Sequence, residues 1–301
     1  MNEAAAGRWS VLSLLRTTAA FLEDRGVAEA RLSAEHLLAH VLGCRRLDLY
    51  LRYDRPVAAT EIRAYREAIR RRLRGEPVQY ITGTAGFRGH DLAVDPRVLI
   101  PRPETELLVG EVLAWARSEA RRGRTPPGGW RILDLGTGSG AIAIALAAEL
   151  EATALVVGSD QSSAATLVAH TNAVRAGAKG VHFVAGEGFS PFRSGPRFDA
   201  VVANPPYLAD RERAMLPREI RDWEPAEALF AGPRGDEAIE RIVSEAPGYL
   251  RAGGILALEV ALGQGPVVRE RIRGAPRLAL VGSFRDHGGI ERGVLALARE
   301  E

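Results

Sequence analysis

Cysteine is almost missing from this chain: Cys44 is the only one in 301 residues. A single thiol excludes a disulfide scaffold and a cysteine-ligated metal cluster, and a buried helical position is the role expected of it. Lysine is as scarce. Lys179 stands alone among 40 basic residues and the rest are arginine, a bias that points to genome composition more than to function. No apolar run approaches the ~20 residues of a membrane span. Met1-Asn-Glu-Ala4 lacks the basic-then-apolar layout of a leader peptide, so a cytoplasmic protein is expected. An excess of one charge is absent too: a formal net charge of +2 argues against a dedicated DNA binder.

What is present reads as two regions, since the length allows two domains with a full α/β core in one of them. The first, over 1–78, has helical periodicity. Val11, Leu14, Leu15, Phe21 and Leu22 share a helix face closed by Gly26, and Leu37, Leu38, Val41 and Leu42 mark a second helix stopped by Gly43. A short helix is expected over 47–51. A third long helix starts at Thr60 as its N-cap and carries Ile62, Tyr65, Ile69 and Leu73 on one stripe before Gly75. Arg63, Arg66, Arg70, Arg71, Arg72 and Arg74 cluster on it, either as a solvated face or turned toward RNA or an acidic partner. His36 and His40 have a metal-compatible i, i+4 spacing, but no third ligand is in view; a structural or surface role, and no metal, is expected.

Over 79–100, extended runs at 79–82 and 90–94 around Gly83, Gly86 and Gly89 predict a β-hairpin linker. From 101 to 301 a helix to about 122 is followed by alternating elements: strands at 130–135, 154–159, 181–185 and 198–203, helices at 140–151 and 162–176. A helix at 236–249, a strand at 254–259, a helix at 265–273 and two closing strands near 277–282 and 292–298 complete the series. Such alternation predicts a parallel, doubly wound sheet covered on both faces. The stretch 207–235 reads as a long loop over the site.

Two motifs carry the chemistry. Asp134-Leu-Gly136-Thr137-Gly138-Ser139-Gly140 joins a strand to a helix, and glycines at alternate positions let a ligand approach the backbone beside free helix N–H groups. The loop also satisfies the relaxed dinucleotide fingerprint, with Asp160 about 20 residues on to hold ribose hydroxyls. Asp134 favours S-adenosylmethionine, because a carboxylate there attracts an ammonium or sulfonium charge and repels a pyrophosphate. The second motif, Asn204-Pro205-Pro206-Tyr207, follows the apolar strand at 198–203. Consecutive prolines stiffen the turn, and the Asn204 side-chain oxygen and Pro205 carbonyl offer two acceptors to a planar –NH2 group. Tyr207 supplies an aromatic wall. If the two strands are neighbours, both motifs meet at the switch point, which makes a class I methyltransferase site.

With these residues in view the chain resembles the glutamine-N5 methyltransferases of peptide-chain release factors, the PrmC/HemK family. The resemblance runs nearly end to end: Gly75-Glu-Pro-Val-Gln-Tyr-Ile-Thr-Gly83, Val98-Leu-Ile-Pro-Arg-Pro-Glu-Thr-Glu106, the glycine loop, Asn204–Tyr207, Glu224-Pro225 and Gly263-Gln264. It implies a methyltransferase core of five strands plus a hairpin, a helical N-terminal domain and a catalytic cleft between them. A free glutamine offers too little surface to be singled out, so the helical domain is expected to recognise the protein substrate. It implies S-adenosylmethionine as cofactor, held by Gly136 to Gly140 and Asp160 with Asn204 alongside, and a substrate glutamine held by Asn204 to Tyr207. The chain departs from the family at Glu187-Gly188-Phe189, where an Asp and a bulky residue usually flank the adenine. Glu187 is expected to substitute as hydrogen-bond partner and Phe189 to supply the lost stacking surface. Asp160-Gln-Ser-Ser163 replaces the more usual Asp-Ile-Ser-Pro, a smaller change.

An amide nitrogen shares its lone pair with the carbonyl, so the expected solution is geometric and electrostatic: both amide hydrogens are accepted and the developing charge is stabilised. The rivals are a sister enzyme acting on a ribosomal-protein glutamine, a nucleic-acid adenine N6 methyltransferase acting on a flipped base, and a silent binding module. The adenine reading wants a target-recognition domain and a basic groove, and neither is evident.

Overall fold

The computed structural model describes residues 9–300; the Met1–Ala4 tetrapeptide lies outside them. They form two compact units. One comprises the residues up to Thr84 with Pro217–Trp223, and the other Ala85–Leu216 with the residues from Glu224 onward.

The first unit is helical: α1 (Val11–Glu23), α2 (Ala30–Leu42), α3 (Arg46–Leu51), α4 (Ala59–Leu73) and α5 (Val78–Thr82). Ser10 caps α1 through a reciprocal pair with Ser13. Leu14, Leu15, Leu22, Leu37, Leu38, Leu49, Ile62 and Tyr65 fill one shared core. Three expectations need correction. Phe21 is 39% exposed and lies under the Arg25 guanidinium instead of joining the core. The cap of α4 is Ala58, whose N–H donates to Glu61 at 2.8 Å, so Thr60 is already inside the helix. Cys44 sits half-buried just beyond the Gly43 C-cap of α2, since the left-handed glycine ends the helix before it.

The arginine cluster on α4 is also divided. Arg72 is buried and pairs with Glu219 at 2.6 Å, while Arg71 pairs with Glu76. Arg63, Arg70 and Arg74 remain exposed. The 79–82 run, expected as a strand, is α5, because Pro77 opens a turn that Gly83 closes in a left-handed conformation.

The second unit begins with a hairpin, β1 (Thr84–Phe87) and β2 (His90–Ala93), then α6 (Thr105–Arg121). The alternating region follows: β3 (Trp130–Leu135), α7 (Ala141–Leu150), β4 (Ala154–Asp160), α8 (Ser163–Ala176), β5 (Val181–Ala185) and β6 (Phe198–Ala203). The 207–235 stretch is not structureless. It carries β7 (Leu208–Ala209), a 3₁₀ turn (Asp210–Met215), α9 (Arg218–Arg221), α10 (Ala226–Leu229) and β8 (Phe230–Gly232). Then come α11 (Glu237–Glu245), β9 (Leu250–Glu259), α12 (Gly265–Gly274), β10 (Leu278–Arg285) and β11 (Glu291–Ala298).

The main sheet has seven strands in the order β10-β11-β9-β6-β3-β4-β5. Strands β9, β6, β3, β4 and β5 run parallel, and β10–β11 close the edge antiparallel. Alternate residues point to opposite faces. Ile132, Val156, Ala200, Val202, Ile255 and Ala257 meet α6 and α7, whereas Leu133, Val201, Ala203, Leu256 and Leu258 meet α11 and α12. The second unit is thus a doubly wound α/β sheet, and the first is helical. Among the described residues no helix is long and apolar enough to cross a membrane.

Candidate active site

Strand order reverses between β3 and β6. They lie side by side with Leu135 opposite Ala203, and at such a point a crevice opens beyond the strand ends. A cavity of about 450 Å³ occupies it, lined by Gly136, Gly138, Asp160, Asn204, Pro205 and Pro206, with Pro225, Glu227 and Phe230 contributed by the 207–235 stretch. That volume lies in the ~300–1,000 Å³ range of small-molecule sites.

One end of the cavity is made of backbone. Gly136, Gly138 and Gly140 all have φ between +53° and +83°, a region that L side chains enter only at a cost. The N–H groups of Gly136 and Thr137 donate to the Ser159 carbonyl at 2.8 and 2.9 Å. The Gly138 N–H donates to Asp160 Oδ2 at 2.9 Å. Thr137 and Ser139 are buried behind the wall; the Ser139 carbonyl accepts from Asn172 Nδ2 at 2.9 Å. The neighbouring strand leaves room for this loop only because residue 158 is glycine. A Cβ there would meet Thr137 Oγ1 at 2.6 Å and the Phe183 ring at 2.7 Å.

Asp160 stands on the wall at the end of β4, and its second oxygen accepts from the Ser162 N–H at 2.9 Å. Burial raises its pKa, and Glu227 nearby adds to the rise. Asp134, expected to present charge to a ligand, is fully buried and not on the wall. Its Oδ2 accepts from the Thr137 hydroxyl at 2.6 Å and from the Ala143 N–H at 3.1 Å, which ties the loop to the first turn of α7. Burial pushes Asp134 up to about 7, and its Oδ1 has no partner among the described residues.

The flank at 186–189 also differs from expectation. Glu187 and Gly188 line the cavity, but Glu187 is largely exposed and its carboxylate pairs with Arg241. Phe189 is 2% exposed and stacks on Tyr249 with ring centroids 4.5 Å apart. Packing in the α11 core removes it from the cavity wall, so Phe189 cannot supply the missing stacking surface. Gly188 at φ +54° turns the chain that sends the following residue inward.

The other end of the cavity is made of side chains. Asn204 donates from Nδ2 to Thr105 Oγ1 at 3.1 Å, so the opposite edge of its amide, Oδ1, is the one left for the cavity. Pro205 and Pro206 lie beside it on the wall. Tyr207, expected as a wall, stands behind: its carbonyl accepts from Gln264 Nε2 at 3.1 Å, and burial followed by Glu259 raises its hydroxyl pKa. Arg102 and the Ile100 N–H both bind Glu224, at 2.5 and 3.3 Å, which fixes the segment leading into α6. Sequence reasoning quoted Thr105 without giving it a role and missed Asn172 and Glu259. The available signal for Glu259 was a carboxylate at the end of a buried apolar strand.

Comparison with known proteins decides the family. Residues 13–83 match the family described as PrmC N-terminal domain, and residues 125–220 match Methyltransferase small domain. The release factor glutamine methyltransferase of Chlorobaculum tepidum is 42% identical over 296 residues, covering 97% of this chain and 98% of that protein. The enzyme of the same name from Bordetella pertussis is 43% identical over 271 residues, covering 90% and 95%. This chain belongs to the release factor glutamine methyltransferase family.

Among solved structures, the hMettl16 catalytic domain in complex with a 3'UTR hairpin aligns with a TM-score of 0.52 at 17% identity, covering 71% of this chain and 77% of that one. That likeness is one of fold. A methyltransferase of this family uses S-adenosylmethionine, and the cavity fits it. Open glycine backbone stands at one end, a carboxylate on the wall can take ribose hydroxyls, and the acceptor corner adjoins them.

Proposed function

We propose that this protein transfers a methyl group from S-adenosylmethionine to the side-chain nitrogen, N5, of a glutamine in a peptide-chain release factor. The observation that carries the reading is the orientation of Asn204. Its amide nitrogen is spent on Thr105, which leaves oxygen, an acceptor, for the cavity that the glycine loop and Asp160 also line.

When bound, S-adenosylmethionine supplies a methyl group on a sulfonium that departs as a neutral thioether. Asp160 and the Gly136–Gly138 backbone bind the nucleoside side of the cavity. Asn204 Oδ1 and the Pro205 carbonyl accept the two N–H groups of the glutamine amide and orient its nitrogen. Those acceptors also stabilise the positive charge that grows as the nitrogen gives its electron pair to the new C–N bond. One of the two nitrogen protons then leaves to solvent, and the product is the N5-methyl amide. Pro206 holds the turn rigid, and Tyr207, anchored by Gln264, supports it from behind.

The reading gives the N-terminal residues 1–78 the task of recognising the release factor, residues 79–100 that of a linker and residues 101–301 that of catalysis. A lone glutamine offers too little surface for discrimination, and an ordinary protein complex buries ~800 Å² per partner. The protein would act in the cytoplasm, on translation termination. Radiolabelled methyl transfer to purified release factor, ribosomal protein and DNA, side by side, tests the reading. Label in the release factor, lost when its glutamine is replaced by alanine, is the expected result; label in DNA or ribosomal protein instead would overturn it.

A further inference from the structure

Glu259 ends β9 next to Asn204 at the end of β6. The two strands are parallel with Ala203 opposite Leu258, so both residues leave the sheet together. Glu259 is 4% exposed, faces the Thr105 side chain, and its Oε2 has no partner among the described residues. Thr105, also 4% exposed, receives the Asn204 Nδ2–H at 3.1 Å.

A hydroxyl has a single proton to give. While Thr105 gives it to Glu259, only its lone pairs face Asn204, and the amide must turn its –NH2 to Thr105 and its oxygen away. If Glu259 carries a proton of its own, it can donate to Thr105. The Thr105 hydroxyl is then free to donate to Asn204 Oδ1, and the amide can rotate by a half turn. That half turn presents a donor, not an acceptor, to the hydrogens of the substrate nitrogen.

We infer that Thr105 and Glu259 are positioning residues, a relay in which a carboxylate at Glu259 fixes which edge of the Asn204 amide meets the substrate. The inference rests on the role given to Asn204 under the proposed function. The groups facing Glu259 are Glu104 and Thr105 at the start of α6, Arg102 just before it, Arg292 of β11 and Tyr207 after β6. Arg292 is shared with Glu104 at 3.3 Å and Asp286 at 2.8 Å, and Arg102 is shared with Glu224. Neither cation is undivided, so burial dominates and lifts Glu259 to about 7. Above that value Glu259 accepts and the relay holds; below it the relay loosens, so turnover should fall as pH drops through about 7.

The test uses the full-length protein, release factor and labelled S-adenosylmethionine. Thr105→Val keeps the shape and removes the hydroxyl. It should lower kcat about 10- to 100-fold, the cost of misplacing a reacting group, with cofactor affinity and release-factor KM within about threefold. Thr105→Ser should restore most of the rate. Glu259→Gln should abolish the fall in kcat below pH 7. Wild-type turnover in Thr105→Val, failure of Thr105→Ser to recover it, or an acid limb that survives Glu259→Gln would each overturn the relay. An acid limb surviving in that variant would belong to another group, such as Asp134. A wild-type enzyme that leaves the release factor unlabelled would instead defeat the proposed function, a result distinct from all of these.

Discussion

The two ends of the cavity are built from different materials. At the end of β3 the wall is backbone, shaped by three left-handed glycines and by the space that Gly158 leaves behind them. At the end of β6 it is side chains, an amide whose nitrogen is spent on the Thr105 hydroxyl. Under the proposed function shape governs the first end, since a cofactor need only be admitted and held there. Polarity governs the second, where a donor in place of an acceptor would reverse the interaction with the substrate nitrogen. Substitutions at the two ends should therefore fail in different ways.

Asn204→Ala should break the comparison most visibly. Loss of an acceptor aimed at the reacting nitrogen typically costs about 2.7–4 kcal/mol, or 10²–10³ in rate, while binding of S-adenosylhomocysteine should stay within about threefold. Single-turnover kinetics beside calorimetry would show the split. Methyl transfer near the wild-type rate would remove Asn204 from the reaction.

Asp160→Ala should show the opposite pattern. Charge-assisted hydrogen bonds contribute about 1.5–3 kcal/mol, so cofactor affinity should drop about tenfold or more while turnover at saturation changes little. Part of the loss will come from the loop, because Asp160 also holds the Gly138 N–H. Unchanged affinity by calorimetry would mean that the cofactor does not reach the end of β4.

Gly158→Ala tests whether shape alone governs the first end, since its new Cβ would strike Thr137 Oγ1 and touches nothing at the Asn204 corner. Overpacking of this kind costs about 1–3 kcal/mol. Melting temperature and cofactor affinity should fall together, with kcat at saturating cofactor nearly preserved. Full stability in this variant would show that the loop has slack.

The smallest effect concerns pH. Folded Glu259 titrates near about 7 instead of its ordinary 4.5, so between those values the folded protein keeps a proton that the unfolded chain has lost. Stability then falls as pH rises through that window. Relative to wild type, Glu259→Gln should gain about 1–2 kcal/mol in going from about pH 5.5 to about pH 8. Denaturant melts of both proteins at the two pH values measure this, and a constant difference would mean that Glu259 does not bear the burial cost.

Much of the second unit was legible in the chain. Strands β3, β5 and β6 lie at the expected residues because each is an apolar run bounded by turn residues, a pattern set by local chemistry. Asn204, Pro205, Gly136, Gly138 and Asp160 share one cavity because both motifs end strands on either side of the switch point. One miss was local: the 79–82 run reads as extended, yet Pro77 and Gly83 bracket it into a turn of helix. The others were decided by neighbours remote in sequence. Phe189 looked available for stacking until Tyr249 claimed its face. Arg72 belonged to a charged stripe until Glu219, from a segment far along the chain, drew it into a buried pair.

The sequence by itself determined the alternation of elements, the glycine turn and the stiff turn at Asn204–Pro206, because periodicity, positive φ and the missing N–H of proline are properties of single residues and their near neighbours. Only the tertiary structure decided which polar groups face the cavity and which face one another. Asp134 turned to Thr137, and Asn204 gave its amide nitrogen to Thr105. A hydrogen bond buried away from water must find its partner wherever the fold brings one, and no spacing along the chain records that choice.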